Sequence, residues 1–241
     1  MRYKAITFLV ALGFASPAIA ADMPASPTAP QVFEDLWSGA FVGLHAGYGW
    51  GNSDITNSSP PGPPARTTAL DPDGFLGGIQ AGYNWRRDSF VFGAIADVSF
   101  ASMSDTYINV PPPGPRYTAT ADINWMATLR ARAGWLLSEN FLLYAHGGLA
   151  FADIDGSVVA INAMNVVGLP WNAQGSDSGF GWIVGAGVEY KLSAKYSVFA
   201  EYSYADFGSY MFPNLAPPGP TNVFFQDTDV SLVKFGLNMS F

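Results

Sequence analysis

In Ala40-Phe-Val-Gly-Leu-His-Ala-Gly-Tyr-Gly-Trp50 the side chains alternate. Ala40, Val42, Leu44, Ala46, Tyr48 and Trp50 fall on one parity, and Phe41, His45 and the glycines on the other. An extended backbone points successive side chains to opposite faces, so the pattern predicts a strand with one apolar face and one small or polar face. The pattern recurs down the chain. Phe75, Ile79, Ala81, Tyr83 and Trp85 oppose Gly78, Gln80, Gly82 and Asn84. Phe90, Phe92, Ala94, Ala96, Val98 and Phe100 oppose Gly93, Asp97 and Ser99, and Ile123, Trp125, Leu129 and Trp135 oppose Asn124, Thr128, Arg130 and Arg132. Four more runs follow: Phe141 to Phe151 with Tyr144 and His146 on the polar parity, Phe180 to Tyr190 with Glu189, Val198 to Tyr204 with Glu201 and Ser203, and Val233 to Phe241 with Lys234 and Asn238.

Eight strands of about 11 to 14 residues are long enough to cross a bilayer at a tilt. Their connections alternate. Short ones fall at Arg87 to Ser89, Ser138 to Asn140 and Ser193 to Lys195; long ones cover Gly51 to Asp73, Ser102 to Asp122, Asp155 to Ser178 and Gly208 to Asp227. The prediction is an all-β fold, an eight-stranded antiparallel up-and-down transmembrane barrel over residues 37–241, with short periplasmic turns and long external loops.

Composition agrees with a membrane address. Of 241 residues 49% are hydrophobic and only 12% charged, against roughly 25% charged in soluble domains. The net charge of −8 argues against a nucleic-acid partner, and the absence of cysteine excludes disulfides and thiolate chemistry. Arg2 and Lys4 precede the apolar run Ala5 to Ala15, and Ala18-Ile19-Ala20 supplies a small-x-small cleavage site, the pattern of a cleavable signal peptide over residues 1–20. Its removal takes two bases and carries the net charge to −10. Residues 21–36, with Pro24, Pro27 and Pro30, read as an extended periplasmic leader.

The bulky face should be the outer one, because aromatics gather at both strand ends, where lipid headgroups lie. Trp85, Phe90, Trp135, Phe141, Tyr190 and Phe241 sit near the short turns; Trp50, Phe75, Phe100, Trp125, Phe151, Phe180 and Tyr204 sit near the long loops. Small residues then fill the narrow interior that eight strands enclose.

The stretches Trp37 to Trp50, Gly77 to Trp85, Gly185-Ala-Gly-Val-Glu-Tyr190, Glu201-Tyr202 with Asp206-Phe207-Gly208, and the terminal Phe241 resemble the small alphaproteobacterial outer-membrane β-barrel proteins, described as porin-like or opacity-like surface antigens and haemin binders. The resemblance covers nearly all of residues 37–241. It implies an outer-membrane location in a Gram-negative bacterium. It also implies that Phe235, Leu237, Met239 and Phe241 form the signal read by the barrel-assembly machinery.

Inside the barrel the titratable residues are His45, Asp97, Arg130, Arg132, His146, Glu189, Glu201 and Lys234: three acids, three bases and two histidines. Charges excluded from water are tolerable when paired, so this balance suits a closed polar core. Counting from the turns predicts Arg132 opposite His146, and Glu189 facing Glu201, which would repel unless Lys234 on the neighbouring strand sits between them. Neither histidine has a serine and an acid that spacing alone places beside it, and two lone histidines are too few for a metal site. No catalytic residue, metal or cofactor is expected.

The loops carry Pro-Pro-Gly-Pro three times, at 60–63, 112–115 and 217–220, read as stiff strand-breaking spacers with a polyproline platform as the alternative. The third loop is apolar, with Val158, Val159, Ile161, Met164, Val166, Val167, Leu169 and Trp171. Eleven external aspartates stand against Arg66 and Arg116. They read as solvated loop ends, with divalent bridging to lipopolysaccharide phosphates as the sharper alternative. The expected function is structural, in envelope integrity and surface presentation, with outer-membrane lipid and lipopolysaccharide as surroundings. A haemin-like ligand binder or a narrow pore is the alternative, and an outer-membrane hydrolase a remote third.

Overall fold

The computed structural model describes residues 35–58, 66–109, 116–161, 167–213 and 223–241. The expected signal peptide, most of the leader and all three Pro-Pro-Gly-Pro segments lie outside them. Nine strands follow in order: β1 Gly39–Ser58, β2 Arg66–Leu70, β3 Asp73–Arg87, β4 Phe90–Asn109, β5 Arg116–Ser138, β6 Phe141–Ile161, β7 Val167–Lys191, β8 Tyr196–Pro213 and β9 Val223–Ser240. Every neighbouring pair is antiparallel, and β1 also pairs with β9 from Phe41↔Ser240 to Ser58↔Val223, so β1 and β3 to β9 close an eight-strand ring. The short β2 pairs only with the outer end of β1.

The facing follows the parity. Leu44, Phe75, Ile79, Trp85, Phe100, Trp135, Phe180 and Phe235 are exposed on the outer wall, while His45, Gln80, Asp97, Arg130, His146, Glu201 and Lys234 are buried within. The two aromatic girdles are formed across neighbouring strands, with Phe90 opposite Trp135, Phe100 opposite Trp125, and Phe151 against Phe180 at 5.2 Å between ring centroids. Ten residues separate Trp125 from Trp135, about 33 Å of strand, which a tilt near 40° reduces to about 25 Å of height. That is the apolar thickness of an outer membrane.

Two sequence expectations need correction. Barrel strands run to between 15 and 25 residues, so much of the expected long loops is paired strand. The alternation continues above the external girdle with its sense reversed: Asp54 and Thr56 point outward to water while Ile55, Leu70, Ala119, Ala121, Val158 and Phe224 form an apolar interior cluster. Lipid lies outside only below the girdle, and the same pairing above it must hide apolar groups inside. The second correction is in β5. A bulge between Ile123 and Trp125 puts two residues of β5 where β6 has one, turning Ile123 inward and Asn124 outward onto Asp155.

The interior is consequently layered. From the periplasmic end come Trp37, Val91, Leu136, Leu142 and Tyr144; then the charged belt; then a larger apolar layer that includes Leu76, Met103, Ile123, Met126, Ile154, Ile183, Phe207 and Leu232. Above it Gln226 bonds Ser53 at 2.7 Å, and Ser53 shares a hydrogen bond with Thr228. Apolar Val91 and Ile95 face inward from β4 beside Gly93 and Asp97, so the interior face is not polar throughout.

Candidate functional site

The belt is built from inward positions of every barrel strand. Arg130 on β5 is its hub. Its Nη2 donates to Asp97 Oδ2 at 2.8 Å and its Nη1 to Glu201 Oε1 at 2.5 Å, with all three side chains at most 2% exposed. Lys234 Nζ reaches Asp97 Oδ1 at 3.0 Å, and Thr128 donates its hydroxyl to the same carboxylate. Glu201 also accepts from Tyr144 at 3.1 Å and Ser203 at 3.2 Å. A second centre lies nearer the periplasm. There Arg132 donates to Glu189 at 2.8 Å and to Asn84 at 3.0 Å, with its guanidinium between the rings of Phe41 and Tyr144. Ser197 and Asn238 complete the shell of Glu189.

The register explains who meets whom. Arg132 stands opposite His146, as counting predicts. Glu189 does not face Glu201: the β7–β8 connection is centred on Ala194, which puts Glu189 opposite Phe199 and Glu201 opposite Gly187. The two acids are thus diagonal neighbours with separate arginines, and the predicted repulsion does not arise. Lys234 is directly across from Glu201 but extends to Asp97. Room for these long chains comes from glycine: a Cβ at Gly185 would stand 2.6 Å from His146 Nε2.

Sequence reasoning missed several members. Lys191, buried on the same parity as Glu189, donates to Ser240 and lies over the Trp37 ring at 5.2 Å, making four interior bases against three acids. The serines were missed too. His45 Nε2 shares a 2.8 Å hydrogen bond with Ser99, which donates to Asp97; His146 Nε2 is 3.3 Å from Ser203, which donates to Glu201. The signal was the parity itself, since Asp97-x-Ser99 and Glu201-x-Ser203 each place acid and serine on one face. In a hydrolytic triad the acid orients the other ring nitrogen of the histidine. Here neither Nδ1 atom has a hydrogen-bond partner among the described residues, and the acids hold the serines instead.

At the periplasmic mouth Trp37 is buried, its Nε1 donating to Glu139 O at 2.9 Å, while the Asp35 carboxylate accepts from the backbone of Trp37 and Ser38. Leu36 packs on the same cluster. At the other end the acidic collar pairs like with like: Asp54 opposite Asp227, Asp122 opposite Asp155, and Asp206 opposite Asp229. Partial burial and the Asp155 charge push the Asp122 carboxyl up. Among the described residues no three metal-ligating side chains converge.

A closed antiparallel ring of this height, girdled by aromatics and filled with paired charge, defines a small outer-membrane β-barrel. The chain belongs to the family described as outer membrane protein beta-barrel domain, whose model matches residues 6–241. It is 31% identical over 208 residues to the 31 kDa outer-membrane immunogenic protein of Brucella melitensis, covering 83% of this chain and 85% of that one. With the 22 kDa outer membrane protein of Rhizobium leguminosarum bv. viciae it shares 27% identity over 168 residues, 70% of this chain and 67% of the relative. OprG from Pseudomonas aeruginosa superimposes with a TM-score of 0.55 at 12% identity, over 85% of this chain and 97% of that one; that likeness is one of fold. The protein resides in the outer membrane of a Gram-negative bacterium, and its resemblance to alphaproteobacterial surface antigens is shown by these relatives.

Proposed function

We propose that the protein is a closed, non-catalytic structural barrel that contributes to envelope integrity and presents its external hairpins at the cell surface. The observation that supports this best is the interior. A charged belt in which Asp97, Glu189 and Glu201 each have a basic partner lies between two apolar layers, so the mid-lumen is occupied by side chains rather than shaped as a conduit. The serine–histidine–acid groups support a structural role, being buried and wired to satisfy carboxylates. Outer-membrane lipid and lipopolysaccharide are its surroundings, and the barrel-assembly machinery its partner during insertion, reading Phe235, Leu237, Met239 and Phe241. The relatives' designation as immunogenic proteins accords with surface display.

Planar-bilayer recording on the purified full-length protein tests the closed lumen. No steady current is expected from the native protein, and transient openings from Arg132→Ala. Steady conductance of the native protein, altered only in ion selectivity by Arg132→Ala, would replace this reading with a narrow pore.

A further inference from the structure

Above the packed lumen the inward parity continues into the barrel mouth, where it encloses a cavity of about 470 Å³, within the range of small-molecule sites. On one side Tyr107, Ala119 and Val158 stand in a row across β4, β5 and β6; on the other Thr68 of β2 lies across the ladder from Ile55 of β1. Ile55, Ala119 and Val158 are buried in one apolar cluster and give the cavity its hydrocarbon surface. Two residues beyond Ile55, Asn57 enters the same lining, and its Oδ1 is shielded from solvent yet accepts no hydrogen bond among the described residues. A buried acceptor left unpaired is costly, and one at the wall of a cavity is paired when an occupant brings a donor.

The lining also fixes the occupant's charge. Among the described residues no lining side chain is charged. Acids on the same strands do not enter it: Asp54 and Asp227 point outward to water, and the Asp105 carboxylate accepts the backbone N–H groups of Asp71 and Thr106. An ion of either sign would give up its hydration here and meet no opposite charge, whereas an alcohol gives up little and regains a hydrogen bond. Among the described residues β2 has no ladder with β4, and beside that seam Tyr107 is 44% exposed at the rim, so the cavity opens outward there. We infer that the external mouth binds a small uncharged alcohol with an aromatic or alkyl body, its hydrocarbon against Ile55, Ala119 and Val158 and its hydroxyl donating to Asn57 Oδ1. The site lies outside the charged belt, so it stands or falls independently of the closed-lumen reading.

The test is calorimetric titration of the full-length protein in detergent, with the heats into protein-free detergent subtracted. Four probes share one aromatic body: 2-phenylethanol, its methyl ether, 2-phenylethylammonium and phenylacetate. Saturable binding of the alcohol at one site is expected, about tenfold tighter than the ether, which lacks the donor, and than either ion. Asn57→Leu should weaken the alcohol about tenfold and leave the ether within about twofold, whereas a loss of packing alone would weaken both. Ala119→Leu, which fills the space between Tyr107 and Val158, should abolish binding of alcohol and ether alike. Heat-modifiable gel mobility verifies that each variant is folded, and the comparison of alcohol with ether on the native protein needs no variant at all. Absence of saturable alcohol binding would overturn the inference. So would equal affinity for alcohol and ether, an ion bound as tightly as the alcohol, or native affinity in folded Asn57→Leu and Ala119→Leu.

Discussion

Replacing Arg130 by methionine keeps much of the side-chain volume and removes the charge that holds two buried carboxylates. Asp97 keeps Lys234 at 3.0 Å and the Thr128 hydroxyl, so it remains compensated. Among the described residues Glu201 keeps the neutral donors Tyr144 and Ser203, together with His146 at 3.5 Å. Losing one partner of a buried pair costs about 3–5 kcal/mol, chiefly because the other charge stays behind unpaired. Arg130→Met should fall in that range. In the double variant Arg130→Met with Glu201→Gln the stranded charge is gone as well, and about 2 kcal/mol or less should separate it from the native protein, since buried pairs contribute little net stability over neutral groups. Urea unfolding in lipid vesicles, followed by tryptophan fluorescence and extrapolated linearly, measures both. If the single variant lies within about 1 kcal/mol of native, or the double variant is no more stable than the single, the belt is not an interdependent ion-pair network and the reasoning fails.

Three further outcomes follow from other parts of the wall. Ala94→Arg, outward and between the girdles, should cost about 2–4 kcal/mol, whereas Thr106→Arg on the external extension of the same strand should cost about 1 kcal/mol or less; equal costs by the same unfolding assay would contradict the assigned facing. Deleting Phe241 should leave the chain as a protease-sensitive periplasmic species, and an unchanged outer-membrane yield on fractionation would remove the terminal residue from the assembly signal. Because the Asp122 carboxyl is raised in the folded state, its unfavourable contribution is absent below the unfolded value near 3.9 and grows as pH rises through the folded one. Asp122→Asn should therefore raise the urea midpoint at pH 7 and leave it unchanged at pH 3; a gain of equal size at both would assign the effect to something other than charge.

Parity carried most of the fold. From Ala40 to Trp50 the two faces were legible because lipid outside and small residues inside impose opposite demands on neighbouring positions. Where both demands change together the signal inverts, as at Ile55 and Phe224 above the girdle, and the segment resembles a loop though it is paired strand. A bulge such as the one at Asn124 is invisible to parity because it shifts one strand by one residue without any special composition. For the belt, the eight titratable residues share a face and the structure brings them together. Their partners Asn84, Ser197 and Asn238 were not distinguishable from filler, and Glu189 was paired two residues out of register although the connection Ser193 to Lys195 is itself centred on Ala194. Side-chain reach, by which Lys234 bypasses Glu201 for Asp97, lies beyond what register alone can decide.

The pairing of β1 with β9 sets an order of events in time. Until β9 arrives, β1 and β8 each present an open row of backbone donors and acceptors, which water satisfies but lipid cannot. The first strand made must therefore wait for the last, with almost the whole described chain held between them, and contacts so distant in sequence form slowly. Insertion one strand at a time would strand an edge in hydrocarbon at every stage. Entry into the membrane is thus a late step that needs the final strand, and a chain cut short within β9 forfeits the whole wall rather than one-eighth of it.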